Sequence, residues 1–346
     1  MNVRAGLLCL WLCLLGALAH AGEPPHSRVP AEHQRTPDQT FLTFPEWYLV
    51  YSPAEYATFV KHRNPSDFPF FGHVGQFWQS YRAVHHATKD DYPFNFGYHV
   101  MIMVIGVSTS VEYALRSAYE TTIGRVAELT RRSGATDEDK FGALIAQDYV
   151  NFIRIEPWYK YDFLDKVKRL WTETSLWGPS LIRKWERKYA LTTEYLIKAA
   201  YGWLIKLGAQ SSYDEPLPVT AATLDQWPAG LTATLPDLKL LRQHADGSAL
   251  VTLPRYQAFT TYSQQLAQRG VRFADIAGNS SQILISVWAP AGKLPEIPTA
   301  KTLFTQPILT ESARQRVAWV VPVASLSAVL VDLAQRGFEV EHVYDY

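Results

Sequence analysis

Glu112, Arg116 and Glu120 follow one another at steps of four. On a helix these three side chains share one face. A carboxylate beside an arginine is held ionised by the pair while burial pushes the other way, and that tension can prepare an acid or a base. The triad is therefore a candidate for acid–base work, with Arg116 orienting the carboxylates or holding an anion. The same spacing also builds a plain surface ladder, worth roughly a few tenths of a kcal/mol per pair.

Histidines gather on the N-terminal side of the triad at His73, His85, His86 and His99. Neutral imidazole is a common ligand for zinc, copper or iron. With Glu112 or Glu120 added, His86 and His99 are the candidate ligands of a His/Glu metal centre, although no His-Glu-x-x-His or Glu-x-x-His spacing is present. Glu46, beside Trp47 and Tyr48, is a further carboxylate of interest, but Thr43-Phe44-Pro45-Glu46 has the form of a capping box that accounts for it. The cofactor, if there is one, stays unidentified at this level. Gly-x-Gly-x-x-Gly, the P-loop and Gly-x-Ser-x-Gly are all missing from the sequence.

A different chemistry is suggested by residues 154–206, which hold eleven basic and six acidic residues among many aromatics. The densest part is Arg183-Lys184-Trp185-Glu186-Arg187-Lys188-Tyr189. Tryptophan and tyrosine suit a membrane interface, and lysine and arginine attract anionic lipid. Arg183, Lys184, Trp185, Arg187, Lys188 and Tyr189 are therefore expected to form a basic, aromatic face for lipid or an amphiphilic ligand. The competing expectation packs the rings into a helical core with the basic groups as its solvated rim.

The elements that must position these groups are helical over residues 40–207. Ser52-Pro53 puts proline at a first helical position, Pro65 and Pro69 mark a loop, and residues 75–86 form a helix. Asp90-Asp91-Tyr92-Pro93 breaks it. A long helix is expected from Tyr98 to about Arg132. Thr136-Asp137-Glu138-Asp139 caps the next, and further helices cover 159–173 and 180–206. Residues 208–245, with four prolines, read as a linker.

The last hundred residues change character. Leu266-Ala267-Gln268-Arg269-Gly270 recurs as Leu333-Ala334-Gln335-Arg336-Gly337, each copy ending an amphipathic helix between strands. The glycines suit helix ends that need a left-handed residue. Strands near 248–253, 271–277, 316–321 and 338–345, with a hairpin from 282–288 and 302–309, predict a ferredoxin-like β-α-β-β-α-β domain over 246–346. The fold class expected is thus an all-helical domain followed by an α+β domain. Asp275 and His342 fall at equivalent positions of the two halves and could meet across its sheet. The C-terminal domain is a candidate for docking a protein partner.

Location is the remaining expectation. Residues 1–21 have a basic start, an apolar run and Ala19-His20-Ala21, the order of parts of a secretory signal peptide. Residues 22–39, with four prolines, read as a disordered tether. Cys9 and Cys13 both lie in the leader, so an exported, mature chain would use neither disulfide nor thiolate. The full chain carries 33 basic and 33 acidic side chains, so no global charge points to nucleic acid. Two functions are compatible with these residues. The first is an exported, periplasmic or extracellular, envelope-associated binding protein, peripheral to a membrane. The second is an exported enzyme with a His/Glu site in the helical domain.

Overall fold

The structure, a computed structural model, describes residues 27–132, 134–212, 218–294 and 296–346, with the side chains of 208–212 left aside. The expected leader and both cysteines lie outside the described residues. The chain divides into two compact units. A sheet unit takes the described residues of Met1–Glu46, Trp78–Ile105 and Pro216–Tyr346, and a helical unit takes those of Trp47–Phe77 and Gly106–Glu215.

The N-terminal half is helical: α1 (Gln39–Glu46), α2 (Tyr48–Phe59), α3 (Phe70–Thr88), α4 (Phe96–Tyr119), α5 (Arg125–Leu129), α6 (Asp137–Ile153), α7 (Phe163–Glu173) and α8 (Leu181–Ser212). A π-turn, Glu120–Gly124, joins α4 to α5 so that the helical path continues to Leu129. Thr136 caps α6 as expected, its hydroxyl accepting from the Asp139 amide and the Asp139 carboxylate accepting from the Thr136 amide.

Two other caps are not where the sequence suggested. Thr43 lies inside α1 and its hydroxyl donates to the Gln39 carbonyl, while Glu46 ends that helix. Ser52 and Pro53 lie inside α2, where the Ser52 hydroxyl meets that of Tyr113 at 2.6 Å. Thr43 bonds back within its own helix, and tertiary partners claim Ser52 and Glu46. Nor are residues 27–39 a loose tether. Val29 is buried, Arg28 pairs with Asp246 at 2.9 Å, and the Arg35 amide donates to the Ala277 carbonyl.

The C-terminal part holds two antiparallel four-stranded sheets of identical order. β1 (Val219–Leu224), β2 (Lys239–Gln243), β3 (Ala249–Pro254) and β4 (Phe273–Ile276) pair in the order β2-β3-β1-β4. β5 (Gln282–Pro290), β6 (Lys301–Pro307), β7 (Arg314–Pro322) and β8 (Glu339–Val343) pair as β6-β7-β5-β8. A short helix, α9 (Leu231–Thr234), precedes β2; α10 (Gln257–Gln268) precedes β4 and α11 (Leu326–Gln335) precedes β8. The internal repeat is thus a β-β-β-α-β unit used twice.

A single ferredoxin-like sheet does not form from the four expected strands, which the structure divides between two sheets. The reason is an extra strand in each half. β1, from the stretch expected to be a linker, and β5 each take a central place and pair on both sides. The expected 282–288/302–309 hairpin is also absent, because β5 and β6 each pair with β7. Gly270 and Gly337 end α10 and α11 at φ 75° and 73° as anticipated. Both sheets and both helices bury into one core that includes Val251, Phe259, Leu266, Ile285, Trp319 and Leu333.

Candidate functional site

In the helical unit α4 and α8 lie antiparallel, joined by a ladder of opposite charges. Lys198 Nζ is 3.2 Å from Glu112, and Arg116 is 3.5 Å from Glu194. Arg187 donates twice to Glu120, at 2.9 Å each. Arg183 donates to the Gly124 carbonyl at 3.3 Å and lies 3.8 Å from Glu128. As the number rises along α4 and α5, the partner's number falls along α8. A Cβ on Gly124 would come within 2.6 Å of Glu120 Oε2, so a larger residue here would displace that carboxylate. The π-turn and this glycine together make room for the Glu120–Arg187 pair.

The ladder continues into α6 and α7. Arg183 pairs with Asp139 at 2.8 Å and with Glu186 at 3.0 Å. Glu138, fully buried, takes Lys184 at 3.0 Å and Lys188 at 3.4 Å. Lys188 also donates to the carbonyls of Leu170 and Thr174. Arg116 stacks over Tyr56, 4.4 Å from the ring centre. Burial pushes the Glu194 carboxyl up, but Arg116 and Lys198 override it and hold its pKa down at about 2. Lys198 loses solvation in the same place, yet Glu112 and Glu194 lift its pKa above the ordinary lysine value. The charges neutralise one another, so the residues best placed for acid–base work are locked in ion pairs.

This geometry corrects the expected basic face. Arg183, Lys184, Arg187 and Lys188 all have 3% exposure or less. Four cations within six residues cannot all point to solvent on a helix packed on two sides, and carboxylates from the π-turn, α5 and α6 meet them inside. Trp185 and Tyr189 do face outward. The carboxylate partners Glu138, Asp139 and Glu194 escaped notice in the sequence because their pairing crosses between helices.

What α4, α5 and α8 present outward is mainly apolar, with Lys206 and the half-exposed Arg125 as exceptions. Val107, Val111, Leu115, Ile123, Val126 and Leu129 are exposed, Leu115 by 67% and Leu129 by 81%. Along α8 the exposed positions include Ile182, Trp185, Tyr189, Ile197, Trp203 and Leu204. Val107 to Leu129 spans about 33 Å at the usual rise, close to the thickness of a bilayer's hydrocarbon core. An open depression of about 390 Å³ lies on this face between Ile123, Val126 and Ile182, with Glu186 at its edge. By contrast α6 exposes Asp137, Lys140 and Asp148. The unit has most of its charges inside and hydrocarbon outside on one side, and a largely polar exterior along α6, where Leu144 is the exposed apolar exception.

The histidines, His73 excepted, and the triad fall in different units. His85, His86 and His99 belong to the sheet unit, whereas Glu112, Arg116 and Glu120 belong to the helical unit. His73, in the helical unit, lies 3.7 Å from Glu55 and stacks on Phe68. His86 is exposed; His85 is the histidine that faces His99, their ring centres 5.4 Å apart. His99 bonds the Tyr81 hydroxyl at 2.9 Å and stacks on Phe94. Among the described residues no three His, Cys, Asp or Glu side chains group closely enough to hold a metal ion.

In the sheet unit Tyr98 donates to Glu46 at 2.6 Å, and burial lifts the Glu46 carboxyl above its ordinary range. Asp275 and His342 sit opposite Thr223 and Ser286 at equivalent positions, as the repeat implies, but in different sheets, so they do not meet across one. Comparison with protein families, with characterised proteins and with solved structures finds no match to this chain.

Proposed function

We propose that this is an exported, envelope-associated binding protein whose helical unit rests in a lipid surface through the outward face of α4, α5 and α8. One observation carries the reading: most charges of these helices are paired and turned inward, while their exposed positions, apart from Lys206 and the half-exposed Arg125 and Glu112, are uncharged. Water penalises such a surface, and monomeric soluble proteins rarely keep one. Lipid favours it, and ionisable side chains near lipid characteristically turn inward and pair. Phe96–Leu129 has the length and composition of a membrane-crossing helix. The polar exterior of α6 favours instead a unit lying along the surface, with only the α4–α8 side immersed.

The sheet unit is the part we assign to docking a protein partner. Its support is β2, an edge strand whose five residues are all exposed and which can accept another strand.

Flotation with phospholipid vesicles tests the lipid reading. The native chain floats, and Leu115→Glu and Trp185→Glu each weaken binding at least about tenfold, because each replaces an immersed apolar group by a charge. Equal flotation of both variants and the native chain sinks the reading.

A further inference from the structure

We infer that the membrane surface this protein selects is an anionic one, recognised by an arginine collar at the Leu129 end of the apolar face. This rests on the lipid reading above and names its partner.

Three loops meet at that end of the helical unit. Arg125, after the π-turn, donates to Asp67 at 2.6 Å. Arg131, just past α5, donates to Asn64 at 3.2 Å. The Arg132 amide donates to the Ser180 hydroxyl at 3.0 Å, joining the start of α8 to the end of α5. Arg63 lies in the same loop as Asn64 and Asp67, exposed, its guanidinium over the Phe59 ring at 5.6 Å. Arg125 has Asp67 as its carboxylate, while among the described residues Arg63, Arg131 and Arg132 face none. That contrasts with the interior of the same unit, where each cation of the ladder is matched.

The collar stands beside the most exposed apolar groups of the unit. Leu129 is 81% exposed and directly precedes the arginine loop; Trp177 is 72% exposed in the loop that ends at Ser180; Ile182 is 62% exposed two residues further on. Hydrocarbon anchors bordered by guanidinium groups complement acyl chains bordered by phosphates. Arginine suits the phosphate because its planar fork donates two parallel hydrogen bonds. Each cation held near an anionic leaflet strengthens binding about fivefold, so three unmatched arginines give roughly a hundredfold preference.

The test compares vesicles of phosphatidylcholine with vesicles in which part is replaced by phosphatidylglycerol. It uses the full chain and an Arg63→Gln/Arg131→Gln/Arg132→Gln variant, with circular dichroism to confirm the fold. The native chain binds the phosphatidylglycerol vesicles about a hundredfold more tightly at low salt. The variant loses that preference and keeps the native affinity for phosphatidylcholine. Equal affinity of the native chain for both vesicles overturns the collar while leaving the lipid face standing, as does a preference that survives in the variant. Failure to bind either vesicle overturns the lipid reading itself.

Discussion

At the scale of single residues, buried ionisable groups dominate this protein, and their response to change follows from their partners. Arg187 is 3% exposed and is shared by Glu120 and Glu186. Arg187→Met strands the buried Glu120 carboxylate and leaves Glu186 with Arg183 alone, and chemical denaturation should show a loss of about 3–5 kcal/mol. A loss below about 1 kcal/mol would mean that water reaches the ladder. His342 has the opposite character, a buried imidazole whose burial drives its pKa well below 6.5. The Thr260 hydroxyl accepts from the Val343 amide at 2.9 Å and lies 3.2 Å from His342 Nδ1. The folded ring therefore stays neutral where a solvated imidazole takes up a proton. Below pH 6.5 the unfolded chain binds a proton that the folded ring refuses, so stability falls as pH drops from about 6.5 toward the depressed folded value. A His342→Phe variant should lack this component between pH 7 and 5. Identical pH profiles for the two proteins would refute the assignment. Glu194 shifts the other way for an acid: its folded pKa of about 2 lies below the ordinary 4.5. The stability it contributes is complete above about pH 4.5 and disappears as pH falls through 2.

At the scale of elements, local chemistry was legible and pairing was not. The break at Asp90–Pro93, the Thr136 cap and the left-handed glycines place the ends of α3, α6, α10 and α11 close to where the residues alone put them, because each signal acts within a few positions. Thr136→Ala should accordingly remove about 1 kcal/mol, the usual worth of a cap, as read from the urea midpoint. A variant of native stability would show that the α6 terminus is held by its ion pairs alone. Strand partners depend on residues far away in the chain. Val219-Thr220-Ala221-Ala222-Thr223-Leu224 has no strong alternation, since β1 is central and buried on nearly its whole length. It therefore resembled a linker, and without it the two halves looked like one sheet. The charge ladder escaped for the same reason. Periodicity placed Glu112, Arg116 and Glu120 on one helical face correctly, but which helix would answer them is a tertiary fact. The basic run of α8 was legible as unusual, and its direction was not.

At the scale of the whole molecule, the protein carries two populations of charge that obey different physics, and salt separates them. Except at the half-exposed Glu112, the ladder pairs are largely buried, with the innermost partners at hydrogen-bond distance, so added ions screen them little. The collar arginines act across solvent on phosphates, where raising salt from 0.01 M to 0.15 M shortens the screening length from about 30 Å to about 8 Å. Calorimetry across that range should leave the unfolding temperature within a few degrees, since the pairs that hold α4 to α8 persist. Flotation on phosphatidylglycerol vesicles over the same range should weaken by at least about tenfold, because most of the collar's contribution is lost. The apolar face adds a remainder that salt does not remove, so binding should level off at the affinity measured on phosphatidylcholine. A strongly salt-dependent unfolding temperature would show that the ladder is open to water, and with it the inversion of charge and hydrocarbon would fail as the basis for lipid contact. Binding that falls to nothing at high salt would place the whole attraction in the arginines and none in Leu115, Trp185 and their neighbours.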